Sequence, residues 1–266
     1  MSRKQLKTTI EYNILEKAII LNDEIGFKKT INLIFDINEV NSSGESLLWT
    51  AVSYHRDEMV KSLIKAGADP NISDKSGFPV FHLAVVCEDT ILLPLLQKSG
   101  ANIFSKDGWG NNALSRALHC NGTKSFHIII YLLRLGLNPE EKNNYGNSAR
   151  DTAFLIANYD YKPLFMIGNE EFKGEDGYYS SFDEIALVSA DILSGAEIIM
   201  LRYYEIDKVW EFLSETAPSG RSLKIQSLQS VLRNRPQMRD VMNQIKPNQE
   251  AILYKGEWRI QDIKRE

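Results

Sequence analysis

The amino-acid sequence predicts a helical repeat solenoid followed by a small α+β domain. Three observations carry this reading. A phrase that opens with glycine returns at a fixed interval, as GESLLWTA from Gly44, GFPVFHLA from Gly77 and GNNALSRA from Gly110, with 33 residues between successive glycines. A second phrase keeps the same beat, since KAGADPN at 65–71 returns as KSGANIF at 98–104. Beyond about residue 168 the period fades, and short runs of β-branched, aromatic and aliphatic residues replace it. A fixed interval of this length marks units that cannot bury their apolar faces alone and do so by stacking.

Thirty-three residues is also the ankyrin period. The quoted phrases resemble ankyrin repeats, and the resemblance is expected to extend over residues 11–168. Residues 11–43 read as a degenerate first unit, because counting back 33 from Leu48, Ala51 and Val52 lands on Leu15, Ala18 and Ile19, which share a helical face with Ile14. Glu11, Glu16, Lys17, Asn22, Asp23, Lys28 and Lys29 are expected to give this unit a charged outer surface, as suits a cap. Units starting at Gly44, Gly77 and Gly110 follow. In the first of them Ser46 is placed to cap a helix, Leu47, Leu48 and Ala51 to face inward, and Val60, Leu63 and Ile64 to form the buried stripe of a second helix. Gly67, Gly100 and, after a lengthening near Asn121-Gly122-Thr123, Gly136 each end a helix in the left-handed conformation that glycine adopts without steric cost. A fourth unit starts at Gly146 and runs through Phe154, Leu155 and Ile156. Pro163, Gly168, Gly174 and Gly177 then punctuate an acidic stretch, so residues 169–180 read as a linker.

Residues 181–266 form the expected α+β domain. Strands are predicted over 185–188, 197–204 and 209–213, helices over 227–233 and 238–245, and a hairpin whose arms, 251–254 and 258–260, flank Lys255-Gly256-Glu257. Within this domain, VSADILSGAEIIMLRYYE at 188–205, followed by VWEFLSE at 209–215, is similar to small bacterial domains found among polymorphic-toxin immunity proteins. Trp210, Phe212 and Leu213 fit that pattern, whereas Val209 stands where those domains usually have glycine or aspartate. The resemblance implies a protein-binding module.

Composition narrows the classes of function. The chain has 266 residues, 43% of them hydrophobic and 25% charged, with a formal net charge of −4. An acidic balance without a basic face gives no reason to expect nucleic acid. The strongest apolar run, 128–133, is far shorter than a membrane span needs. The opening MSRKQLKTTIEYN has basic residues but no apolar stretch behind them, so no secretory leader and a cytoplasmic location are expected. The two cysteines, Cys87 and Cys120, fall at equivalent places in neighbouring units, too far apart for a disulfide.

No catalytic constellation emerges. All four histidines, His55, His82, His119 and His127, lie before residue 128, so the C-terminal domain is expected to lack a histidine base, and it also lacks a thiol. Asp183, Glu184, Asp191, Glu205, Asp207 and Glu211 show no paired spacing and read as solvated strand ends and turns. His119, Cys120 and His127 lack the four-ligand spacing of a closed zinc site, and no glycine loop is followed by the lysine and hydroxyl of a phosphate cradle. Neither metal nor cofactor is expected. His82 occupies the histidine of the ankyrin threonine-proline-leucine-histidine signature, which implies a structural hydrogen-bonding role.

What remains is a binding surface. In ankyrin proteins the hairpin tips and the exposed side of each first helix form the concave face, which here places Tyr54, Phe78, Cys87, Trp109, Asn111, His119, Cys120, Tyr145 and Asn147 on it. Trp109 and Tyr145 precede the glycines of consecutive units and are expected side by side, as a binding ridge or packed against neighbours. The reading is a non-enzymatic bacterial interaction protein, an immunity protein that occludes a toxin. The alternatives are an effector delivered into a host cell, or an enzyme whose activity resides in the C-terminal domain.

Overall fold

The computed structural model describes residues 3–120, 124–155, 161, 164–165, 185–194, 196–198, 200–203, 206–215 and 223–263. The chain divides into two compact units, Met1–Cys120 with Glu141–Asn147, and Asn121–Glu140 with Ser148–Glu266.

The first unit is built of paired helices. α1 (Arg3–Leu21) precedes α2 (Glu24–Thr30) and a 3₁₀ turn, Ile31–Leu33; then come α3 (Leu47–Ser53) with α4 (Asp57–Lys65), α5 (Val80–Val86) with α6 (Leu92–Lys98), and α7 (Ala113–Ala117). The leading helices pack in series, α1 on α3, α3 on α5 and α5 on α7. As expected, the Ser46 hydroxyl caps α3 by accepting from the Trp49 N–H at 3.1 Å. Leu47, Leu48, Ala51, Val60 and Leu63 are buried, while Ile64 is only half-buried. Gly67, Gly100 and Gly136 have φ of +93°, +90° and +85°.

A second left-handed position keeps the same beat and carries no glycine. Asn22, His55 and Glu88, each between the two helices of a pair, have φ of 55°, 53° and 50°. Glycine is the usual signal of such a conformation, so the sequence reading did not single these residues out. Asparagines also bridge successive units. Asn38 Oδ1 accepts from the Asp69 N–H at 2.8 Å, and Asn71 Oδ1 accepts from the Asn102 N–H at 2.7 Å. Phe104, the next residue in this series, has no side-chain oxygen to accept such a bond.

The first pair of helices departs from the expected cap. Leu15, Ala18 and Ile19 are buried as predicted, but Ile14 is exposed, and so are Ile10 and Leu21. Glu11, expected outside, is buried and accepts from the Phe35 N–H at 3.2 Å, and Glu16 accepts from the Tyr12 hydroxyl and the Asn41 amide. Two of the supposed surface acids therefore serve the interior. Ile34 closes the pair in extended conformation where later units use glycine.

The second unit contains α8 (Lys124–Arg134), α9 (Ala149–Leu155), β1 (Ile185–Ser189), α10 (Ala190–Leu193), β2 (Met200–Tyr203), β3 (Trp210–Leu213), β4 (Leu223–Ser227), α11 (Leu228–Asn234), α12 (Met238–Met242), β5 (Gln249–Tyr254) and β6 (Glu257–Asp262). The six strands form one mixed sheet in the order β4-β1-β3-β2-β5-β6. β1 runs parallel to β3, and the other neighbours are antiparallel. Ala186, Val188, Leu201, Phe212 and Ala251 on the sheet share a core with Val231, Met238 and Val241 on α11 and α12. The predicted strands, helices and hairpin are present. α10 and β4 were not foreseen, although the alternation in LKIQS is a strand pattern.

The division of the chain differs from the predicted boundary. α8, which continues the repeat pattern in sequence, belongs to the unit that holds the sheet. Its buried His127 explains why, as described below. The expected linker 169–180, Ile156, Pro163 and the lengthening at 121–123 lie outside the described residues.

Candidate protein-interaction surface

Each hairpin loop of the repeats is organised by one side chain. Asn41, Asp74, Asp107 and Asn143 place Oδ1 where it accepts from the backbone N–H groups two and four residues on. At Asp107 the donors are Trp109 at 2.9 Å and Asn111 at 3.0 Å. A short side-chain acceptor of this kind satisfies the donors of a tight turn, and the turn in turn fixes its tip. Neighbouring tips are joined through the backbone, with the Lys75 N–H donating to Ser43 O at 2.9 Å and the Asn144 N–H to Trp109 O at 3.1 Å. Asp or Asn three residues before each loop glycine is the sequence signal for this.

Asp107 does more than shape its loop. Its side chain is fully buried, and Arg116 Nε donates to its Oδ2 at 2.6 Å. Burial alone would raise the carboxyl, but hydrogen bonds from Asn111 and Arg116 outweigh it and hold Asp107 below the usual range. The paired Arg116 guanidinium lies 5.3 Å from the Phe78 ring and 5.1 Å from the Trp109 ring, so one cation serves both aromatic faces. Trp109 nevertheless stays 43% exposed, and Tyr145 is 71% exposed. A large aromatic side chain is thus presented to solvent in a fixed position, with little rotamer freedom left to lose on binding.

The other predicted surface residues divide. Tyr54, His119 and Asn147 are exposed, and Arg56 lies 5.9 Å from the Tyr54 ring. Phe78 and Cys87 are half-buried. Asn111 is committed to the scaffold, since its amide donates to Asp107 and its Oδ1 accepts from Asn143 Nδ2 at 2.8 Å. Cys120 does not belong to the surface: it is buried, with Sγ 3.4 Å from Val85 O, and burial pushes its thiol up to about 12. His82 is fully buried with Nε2 3.0 Å from Ser105 O, the structural role its position implied.

A second cluster of chemistry-bearing residues lies inside the sheet unit. His127 on α8 has Nδ1 2.8 Å from Asp207 Oδ2 and Nε2 4.0 Å from Glu211 Oε1, with all three side chains excluded from solvent. Asp207 and Glu211 are therefore not the solvated groups the sequence suggested, and this unit does possess a histidine, contributed by an earlier segment of chain. Asp183, Glu184 and Glu205 lie outside the described residues, as does the side chain of Asp191. Strand register extends the cluster, because Arg202 faces Glu211 on one neighbour and Glu250 on the other, and Glu250 faces Gln261. Arg202 Nε donates to Glu250 Oε2 at 2.7 Å, and Gln261 Nε2 donates to Glu250 Oε1 at 2.8 Å. Burial opposes charge on His127, yet the Asp207 carboxylate beside it holds the imidazole above its ordinary range. Burial pushes Glu211 up, and among the described residues neither of its oxygens accepts a hydrogen bond. Without access to solvent the cluster cannot meet a substrate; it ties α8 to β2, β3 and β5.

Residues 15–107 match the model of ankyrin repeats, in three copies, and this stretch is an ankyrin-repeat stack. Ankyrin repeats are a module through which proteins bind other proteins. Similar proteins include an ankyrin repeat protein of fowlpox virus, 29% identical over 143 residues, covering 54% of this chain and 33% of the viral protein. The chicken nuclear factor NF-kappa-B p105 subunit is 33% identical over 131 residues, or 48% of this chain and 13% of its own length. Glycerophosphocholine phosphodiesterase gde1 of Schizosaccharomyces pombe is 37% identical over 85 residues, which are 32% of this chain and 8% of the yeast protein. The chain thus spans a third or less of these relatives. Among the described residues no helix is long and apolar enough to cross a membrane.

Proposed function

We propose that this protein acts without catalysis, by binding another protein through the ridge of its repeat tips. The observation that carries this reading is the Arg116 guanidinium, anchored on buried Asp107 and lying against both Phe78 and Trp109 while Trp109 remains open to solvent. A preformed aromatic surface of this kind gains affinity because little must be ordered when the partner arrives. Aromatic residues are also those most enriched at binding hot spots. Tyr54, Phe78, Trp109, His119, Tyr145 and Asn147 are the proposed contact residues, and Asn111 supports them from beneath.

The specific form proposed is a cytoplasmic bacterial immunity protein that occludes a toxin. This rests on the similarity of residues 188–215 to immunity-protein domains. The test is co-purification from the native cell, followed by calorimetric titration of the recovered partner with wild type and with the double variant Trp109→Ala, Tyr145→Ala. A partner that is a toxin encoded next to this gene, bound by wild type and lost by the variant, supports the reading. Full affinity in the variant refutes the ridge, and a partner without toxin activity refutes the immunity assignment alone.

A further inference from the structure

Arg235 follows α11 directly and lines two apolar clefts of the sheet unit. One, of about 250 Å³, is built on Ile198, Met238, Leu253 and Trp258. The other, of about 220 Å³, is built on Val188, Ile192, Leu193 and Val231. The arginine is the wall they share: it reaches from the α11–α12 junction toward α10, where Nη2 donates to Ala196 O at 2.7 Å and lies 3.5 Å from Ile192 O. The side chain is thus held in place before any ligand arrives.

The charge on this wall is not balanced. Arg235 is half-buried, both of its hydrogen bonds come from Nη2, and among the described residues no carboxylate pairs with it. Nε and Nη1 keep their donors for another acceptor. A cation drawn out of water beside apolar surface is costly until a counter-charge meets it. The surroundings favour an anion: residues 228–247, which hold α11 and α12, contain three arginines and one lysine against one aspartate, in a chain of net charge −4. Glu197 at the rim of the first cleft opposes this, but it is exposed and water screens it.

We infer that the two clefts and Arg235 bind a segment of another protein in which an acidic residue stands between apolar ones. The acid meets the guanidinium, and one apolar side chain enters each cleft. Each cleft is smaller than the roughly 300–1,000 Å³ of a small-molecule site and suits a single aliphatic or aromatic side chain. Apolar anchors in pockets around a charge pair are what give a short segment its affinity. This site belongs to the sheet unit and uses none of the repeat tips, so it stands or falls separately from the ridge proposed above.

Selection of random phage-displayed peptides on the immobilised full chain tests the inference, followed by calorimetry with the recovered sequence as a synthetic peptide. The peptides should share an acid between apolar residues, and replacing that acid by its amide should weaken binding by about tenfold to a hundredfold. Arg235→Gln should weaken the parent peptide by the same factor and leave the protein indifferent to which version is offered. Leu155→Gln, at an exposed position in the same unit, should change nothing. If Arg235→Gln fails to fold by circular dichroism, Gln237→Trp and Leu193→Trp carry the test, because both positions are exposed and line the two clefts. A library without binders, selected peptides without the acid, or folded variants that bind as tightly as wild type would overturn it. Peptides lost on Trp109→Ala but kept on Arg235→Gln would overturn this site and leave the ridge. Hexanoate that displaces the peptide at a lower concentration than the peptide itself needs would make the site one for a small carboxylate and overturn the peptide assignment.

Discussion

His127 Nδ1 stands 2.8 Å from Asp207 Oδ2, across 80 residues of sequence, with both side chains sealed from water. This contact commits α8 to the sheet unit, although its sequence continues the repeats. Breaking a buried pair leaves an uncompensated charge and costs about 3–5 kcal/mol.

The first prediction follows from that pair. The folded pKa of His127 lies above its unfolded value, so the associated stability is complete below about pH 6.5 and is lost as pH rises through the folded value. Glu211 is also raised, and its contribution has the same sign, declining from about pH 4.5 upward. The stability of the sheet unit, followed by the near-ultraviolet signals of Trp210 and Trp258, should therefore fall above pH 6.5 by up to about 1.4 kcal/mol per pH unit for each of the two groups. His127→Gln should flatten the slope. A variant with the slope of wild type would show that other groups set it.

His82 works in the opposite direction. Burial pushes it down to about 4, so the unfolded chain takes up the proton first. Its stability term is complete above about pH 6.5 and is lost as pH falls toward 4, at a total of about 3 kcal/mol. The melting midpoint of the repeats should drop over that interval, and His82→Asn should show a smaller drop. An equal drop in both proteins would assign the acid sensitivity elsewhere.

Glycines in the stack should fail for two different reasons. At Gly67 and Gly100 a Cβ would meet no atom within 4 Å, so valine there suffers only from the positive φ, at a cost of about 1 kcal/mol or more. At Gly108 a Cβ would collide with Ser76 O, so even alanine must displace backbone between neighbouring tips. Thermal melts should rank Gly108→Ala as at least as damaging as Gly100→Val. Valine at position 100 with an unchanged midpoint would contradict the helix-end role.

The aromatic ridge separates stability from binding. Tyr145→Ala should leave the melting midpoint within about 0.5 kcal/mol of wild type, because the ring is largely in solvent. Trp109→Ala removes one of the two rings against Arg116 and should cost about 1 kcal/mol while the protein still folds. Each should weaken the partner complex by about 2 kcal/mol. Variants that unfold, with binding unchanged in the folded fraction, would make the ridge a packing feature.

The sequence by itself determined the repeat period, the left-handed glycines, the Ser46 cap and most strands of the C-terminal unit. These depend on contacts a few residues long or on spacing that recurs, and both are visible in one dimension. Three things were decided only by the tertiary structure. Asp207 and Glu211 look like surface turns in the chain, and become buried partners of His127 because strand register sets Arg202 between Glu211 and Glu250 and α8 comes to the same place. Arg116 is an unremarkable helical arginine until α7 brings it between Phe78 and Trp109. Of the charged outer surface expected at residues 11–43, Lys17, Asn22, Asp23, Lys28 and Lys29 are exposed, but Glu11 turns inward and Ile14 outward, since a helix's composition does not say which of its faces a neighbour will cover. Burial of charge and exposure of apolar surface are properties of distant pairs, and a periodic pattern records only the near ones.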